Sequence, residues 1–210
     1  MKTVIIMYKI KNDITNTIII DKSKFITTIF RVDNVEKINE ILALTRKKYY
    51  DATHNCYAYI INDGNNQKCS DDGEPSKTAG APMLDALKKN DLTDCLAITT
   101  RYFGGIKLGA GGLIRAYSSS VSEAIKLANL VETKELAIYD VTIDYSTYNR
   151  LTEFISKYMV KDTVFGSEIT LSIALFTQEI NIFLEQIKNL TFGKALVKFK
   201  ENATIDCDVN

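Results

Sequence analysis

The stretch Arg101–Ser120 reads RYFGGIKLGAGGLIRAYSSS and holds five of the chain's ten glycines: Gly104, Gly105, Gly109, Gly111 and Gly112. An apolar, strand-like run, Cys95–Thr100, precedes it. A helical pattern from Leu113 to Ala128 follows, with Ile114, Tyr117, Val121, Ala124 and Ala128 as its core stripe. A strand, a glycine-rich loop and a helix in that order can hold an anion. Glycine lets backbone approach a ligand closely, and the free N–H groups and dipole of a helix start favour negative charge. Lys107, Arg101 and Arg115 add positive charge. The loop is not a Walker motif, because no G-K-[ST] follows, and its spacing is not G-x-G-x-x-G. A tight turn between a strand and a helix is the alternative, but five glycines in nine residues exceed what a turn needs. Tyr102 and Phe103 are adjacent on a strand end and face opposite sides, so one aromatic at most is expected at the surface to stack on a base.

Upstream, Val4–Ile10 and Thr17–Asp21 read as strands joined by a hairpin at Asn12-Asp13, and Lys24–Val32 as a third. Asp33 with Glu36 has capping-box spacing for a helix whose apolar face carries Val35, Ile38, Ile41, Leu42 and Tyr49. His54–Asn62 is a strand, and Gln67–Ser70 pairs back across Asp63-Gly64. The loop Ser70–Pro82, SDDGEPSKTAGAP, leads into a short helix with Pro82 in its first turn. In that loop Asp71, Asp72 and Glu74 put three carboxylates in four residues. They are candidates for acid–base work or for a cation such as Mg²⁺. A solvated turn and pairing with Arg101 or Arg115 are the alternatives. His54, the single histidine, is a candidate base, and a structural histidine hydrogen-bonded at the strand start is the favoured alternative. Cys56 lies two residues on and faces the same side of the strand. No metal centre and no cofactor are assigned.

Downstream, Asn129–Glu135 is the expected boundary between a domain of residues 1–133 and one of residues 134–210. In the second, an alternating strand (Ala137, Tyr139, Val141, Ile143, Tyr145) leads to a helix capped by Ser146. A hairpin of two strands turns at Gly166-Ser167. A helix capped by Thr177 and a last strand through Ala195, Val197 and Phe199 complete the order βαββαβ. That order predicts a ferredoxin-like split βαβ sandwich. The expected fold class is therefore α+β in two domains.

The chain has 210 residues, 26 basic and 26 acidic side chains, and no net charge. Residues 1–133 carry a balance of +3 and residues 134–210 a balance of −3. Neither has the basic excess of a dedicated nucleic-acid binder, so any such contact must use a local patch. No DNA-binding motif is present. The four cysteines lie too far apart in sequence for a zinc knuckle or a redox pair. No apolar run approaches membrane-spanning length. A cytoplasmic protein without a membrane partner is expected.

Three segments, ATHNCYAY (52–59), SDDGEPSKTAGAPML (70–84) and TRYFGGIKLGAGGLIRAYSSS (100–120), closely resemble the IMPACT/YigZ-like family in sequence, order and spacing. KSKFI (22–26) is similar to its amino-terminal motif. Lys77, Ala81, Tyr57 and Cys69 stand where the family varies or has other residues, and leave the acidic and glycine loops intact. The resemblance implies an amino-terminal α+β domain with the fold shared by GHMP kinases and a domain of a small-subunit ribosomal protein. It implies a carboxy-terminal domain similar to the ferredoxin-like domains of elongation factor G. Eukaryotic members act in translational control by protein–protein contact. The expected function is thus a regulatory or binding protein linked to translation. Its partner would be RNA, the ribosome or a translation-related protein, met at a phosphate group through the glycine-rich cationic loop. The alternative is an enzyme on a small phosphorylated substrate, with the acidic loop beside the glycine loop.

Overall fold

The computed structural model describes residues 7–209. The chain is mixed α+β and divides into two compact units, one of residues 1–132 with 208–210 and one of residues 133–207.

In the first unit, strands β2 (Ile14–Ile20), β3 (Ser23–Arg31), β4 (His54–Ile61), β5 (Asn66–Ser70) and β6 (Cys95–Tyr102) form an antiparallel sheet in the order β2-β3-β6-β4-β5. Alternation along β4 explains why both faces are covered. Cys56, Ala58 and Ile60 join Phe25, Ile29 and Ala97 in a core closed by helices α2 (Gly80–Lys89) and α3 (Gly109–Lys126). Tyr57, Tyr59 and Ile61 face the other way and pack with Ile38 and Leu42 of α1 (Val35–Lys48). Three layers result, with apolar side chains on both sides of the sheet.

Several local expectations change. The hairpin at Asn12-Asp13 does not form: β1 (Tyr8–Ile10) pairs with β7 (Leu130–Ile143), and β2 pairs with β3. Asp13 instead accepts a hydrogen bond from the Arg31 N–H, fixing the start of β2 on β3. The true hairpin turn is Asp21-Lys22, with φ of 44° and 63°, the doubly left-handed geometry that matches strand twist. Val4–Ile6 of the expected first strand lie outside the described residues. The α1 cap is Asn34, whose side chain accepts from Lys37 N, rather than Asp33.

The second unit continues β7 with α4 (Tyr145–Ile155), β8 (Met159–Phe165), β9 (Ile169–Phe176), α5 (Ile180–Leu190) and β10 (Leu196–Asp208). In the five-stranded sheet that β7 shares with β1, β7 pairs with β9 and with β10, and β9 pairs with β8. Tyr139, Val141 and Ile143 of β7 pack with Leu151, Ile155, Phe183 and Ile187 of the two helices. Tyr145 starts α4 rather than ending β7, and Asp144 rather than Ser146 caps that helix. Hydrogen bonds from Ser146 and Thr147 hold the Asp144 carboxyl down at about 2. Thr177 is not the cap of α5: Glu179 occupies that position and makes no side-chain cap bond. Among the described residues no helix is long and apolar enough to cross a membrane.

Candidate functional site

Three neighbouring strands set the site. In the β3-β6-β4 pairing, Phe25, Arg101 and His54 stand directly across from one another. Directly paired residues share a face, here the face covered by α2 and α3. Arg101 is buried, with its guanidinium carbon 5.4 Å from the Phe25 ring centre and 5.5 Å from that of Phe103. Its Nη1 donates to Glu74 Oε1 at 2.7 Å, and Tyr117 Oη donates to the same oxygen at 2.8 Å. Arg101 Nη2 reaches Ser23 Oγ at 3.4 Å, while its buried Nε meets no acceptor. A buried cation therefore has one carboxylate partner and two aromatic faces.

The acidic loop does not act as a group. Asp71 accepts from the backbone N–H groups of Lys77, Ala79 and Gly80, and so fixes the entry to α2. Asp72 accepts from Asn55 N at 2.7 Å and lies 3.6 Å from Arg46. Glu74 alone turns inward, its side chain 3% exposed. Pairing with arginine is thus real for Glu74 with Arg101, and for Asp72 it involves Arg46, a partner the sequence did not suggest. Among the described residues no three His, Cys, Asp or Glu side chains converge as metal ligands.

His54 Nδ1 lies 2.8 Å from the Asp72 carbonyl oxygen. A carbonyl only accepts, so Nδ1 carries the proton and Nε2 of the neutral ring is a bare acceptor. Nε2 faces Glu74 Oε2 at 3.8 Å, beyond hydrogen-bond length. Gly73 lies beside this ring at φ +88°, a backbone conformation that strains any side chain, and a Cβ there would sit 3.3 Å from Nδ1. Cys56 does not pair with His54. Its thiol donates to the Asp71 carbonyl at 2.9 Å and lies 3.4 Å from Tyr117 Oη. Burial pushes the Cys56 thiol up to about 12, so no thiolate nucleophile forms at neutral pH. Burial, with Cys56 and Glu74 adding to it, raises the Tyr117 phenol as well.

The glycines of the Arg101–Ser120 stretch separate into different tasks. Gly104 is a close approach: a Cβ would fall 2.0 Å from the Lys22 carbonyl carbon. Its N–H is already bonded to Ser23 Oγ. Gly105 and Gly109 adopt φ of +86° and +68° with open space around them. The helix begins at Gly109, four residues before the expected start, so Gly109, Gly111 and Gly112 occupy its first turn. Leu108 at the N-cap position makes no side-chain cap bond. Lys107 and Arg115 are exposed.

A cleft of about 400 Å³ gathers part of these residues. His54, Glu74 and Arg101 contribute polar groups, Lys107 and Gly109 come from the glycine loop, and Pro75, Phe103, Leu108 and Leu113 form apolar walls. Asp71, Asp72, Gly104, Gly105, Gly111, Gly112 and Arg115 do not line it. Sequence reasoning missed Ser23, Pro75 and the Tyr117–Glu74 bond. For Tyr117 a signal existed, since a buried tyrosine hydroxyl usually finds a partner.

The sequence model described as the Impact N-terminal domain matches residues 21–125, the segment that holds the whole cleft. An IMPACT family member of Bacillus subtilis, YvyE, is 39% identical over 206 residues, covering 97% of this chain and 95% of its own. The chain belongs to the IMPACT family. An IMPACT family member of Haemophilus influenzae is 32% identical over 187 residues, with 87% of this chain and 91% of its own covered. Among solved structures, a crystal structure described as a hypothetical protein superposes with a TM-score of 0.60 at 26% identity. It covers 95% of this chain and 99% of that one.

Proposed function

We propose that this IMPACT family protein is a regulatory binding protein linked to translation that contacts RNA at a phosphate through the second half of its glycine loop. One observation carries the reading: the uncapped start of α3 at Gly109 and the exposed Lys107 border the same cleft. Unpaired N–H groups, the helix dipole and a lysine favour a phosphate there. The family resemblance supplies the translational setting. Arg101 contributes field rather than a direct contact, because Glu74 already takes its Nη1. Gly104 is excluded as a donor because Ser23 holds its N–H. Gly105, Gly111, Gly112 and Arg115 border the loop outside the cleft and serve its conformation and charge. The alternative, an enzyme that uses the acidic loop as a metal or base site, loses Asp71 and Asp72 to backbone hydrogen bonds.

The test is RNA and ribosome co-sedimentation at graded salt. Affinity should fall steeply between about 50 and 200 mM salt, and Lys107→Glu should weaken binding at every salt concentration. No association at low salt, or an unchanged Lys107→Glu protein, would overturn the reading.

A further inference from the structure

The floor of the cleft is unused by a phosphate contact at its mouth, and it has a defined chemistry. Glu74 Oε2 accepts no hydrogen bond among the described residues, although the side chain is 3% exposed. In the neutral ring His54 Nε2 is equally an acceptor without a donor, since the hydrogen sits on Nδ1. These two acceptors lie 3.8 Å apart. With the ring neutral they cannot satisfy each other, and a single nitrogen donating two hydrogens fits between them at about 2.9 Å from each. The floor therefore asks for an amino group. It disfavours an oxo oxygen at the same place, which would face a carboxylate.

The walls select what carries that amino group. Phe103 is 47% exposed, and one side of its ring lies near the Arg101 guanidinium. Pro75, Leu108 and Leu113 complete an apolar slot. A flat, partly apolar ring suits such walls, as bases splayed from single-stranded RNA stack on aromatic side chains. The mouth carries Lys107 and the open backbone at Gly109. A volume of about 400 Å³ is within the range of small-ligand sites.

From floor, walls and mouth together, we infer that the cleft receives one nucleotide whose base bears an exocyclic amino group. The amino group sits between His54 Nε2 and Glu74 Oε2, the base lies against Phe103, and the phosphate is held at Lys107 and the start of α3. This rests on the phosphate-binding reading above and adds base selection to it. Adenine, cytosine and guanine qualify, and uracil and hypoxanthine do not. The same chemistry is presented by a free nucleotide and by one residue of an RNA strand.

The experiment is calorimetric titration of the full chain with two matched pairs, AMP against IMP and CMP against UMP, and with oligoadenylate against oligouridylate. AMP and CMP should bind at least tenfold more tightly than their oxo counterparts. Phe103→Ala, a change at a half-exposed position, should weaken both members of each pair. Preference for oligoadenylate without measurable AMP binding would also support the inference and would assign the site to RNA strands. Preference at the mononucleotide level would assign it to free nucleotides as well. Equal affinity within all pairs would overturn base selection while leaving the phosphate reading standing. The same follows if no nucleotide or oligonucleotide discriminates yet salt-dependent RNA binding through Lys107 persists. Absence of all binding, RNA included, would remove both.

Discussion

Glu74 shows how one side chain can hold a site together. One carboxylate oxygen takes Arg101 and Tyr117, and the other faces His54 across a gap. The Arg101 guanidinium has no other charged partner among the described residues and has an unbonded Nε. Removing the charge in Glu74→Gln leaves a buried cation without its counter-ion. Breaking a buried pair in this way costs about 3 kcal/mol or more. The expected result is a lower urea midpoint with an unchanged denaturant slope. Adding Arg101→Met to Glu74→Gln should lose less stability than the two single changes summed, because each then removes what the other left exposed. An additive outcome would show that the pair is not energetically coupled.

At the scale of elements, the glycine stretch is two structures rather than one loop. Its first half is a steric fit and its second half a helix start. Gly104→Ala drives a Cβ into the Lys22 carbonyl, with backbone rather than a flexible side chain in the way. Gly105→Ala meets no atom within 4 Å and suffers only the left-handed φ of +86°, a cost of about 1 kcal/mol. Thermal melting should therefore place Gly104→Ala well below Gly105→Ala, and similar melting temperatures would refute the division. This division was not legible in the sequence, since both halves offer the same residue type. Glycine also lowers helix propensity, which hid the true start at Gly109. The buried stripe of α3 departs from apolar periodicity for a related reason. Ile114 is 42% exposed, whereas Ser120 is buried and bonded to Thr27, which also bonds Thr99 at 2.8 Å. A buried hydroxyl network has no apolar periodicity to announce it. The strands of the first sheet were legible because β3 alternates and β4 is a near-continuous apolar run bounded by turn residues. The pairing of β1 with β7 was not, since its partners lie more than a hundred residues apart. At the candidate site, the sequence offered His54, the acidic loop, Arg101 and the glycine loop as candidates and left open whether they share one cleft. Which acid turned inward was not legible, because it depends on three backbone N–H groups converging on Asp71.

For the molecule as a whole, the first unit has a complete core of its own on both faces of its sheet. The pairing of β1 with Leu130–Glu132 also lies within it. A chain of residues 1–132 should unfold in one cooperative transition. That truncation also removes residues 208–210 of the unit, with the Val209 N–H bond to the Leu130 carbonyl and the exposed Lys11–Asp208 ion pair, the latter accounting for less than about 1 kcal/mol. A non-cooperative melt would show that the division of the chain is not a division of stability. The same fragment should keep the RNA and nucleotide responses, since each residue invoked for them lies before Glu132. His54 adds a practical consequence, because it is the only histidine in 210 residues. Its two ring nitrogens are the sole imidazole resonances of the protein. One is tied to a carbonyl and the other opens on the cleft. A single uniformly ¹⁵N-labelled sample thus contains a built-in reporter: the imidazole nitrogen signals should move with occupancy, Nε2 most, so filling of the cleft can be followed without attaching any probe.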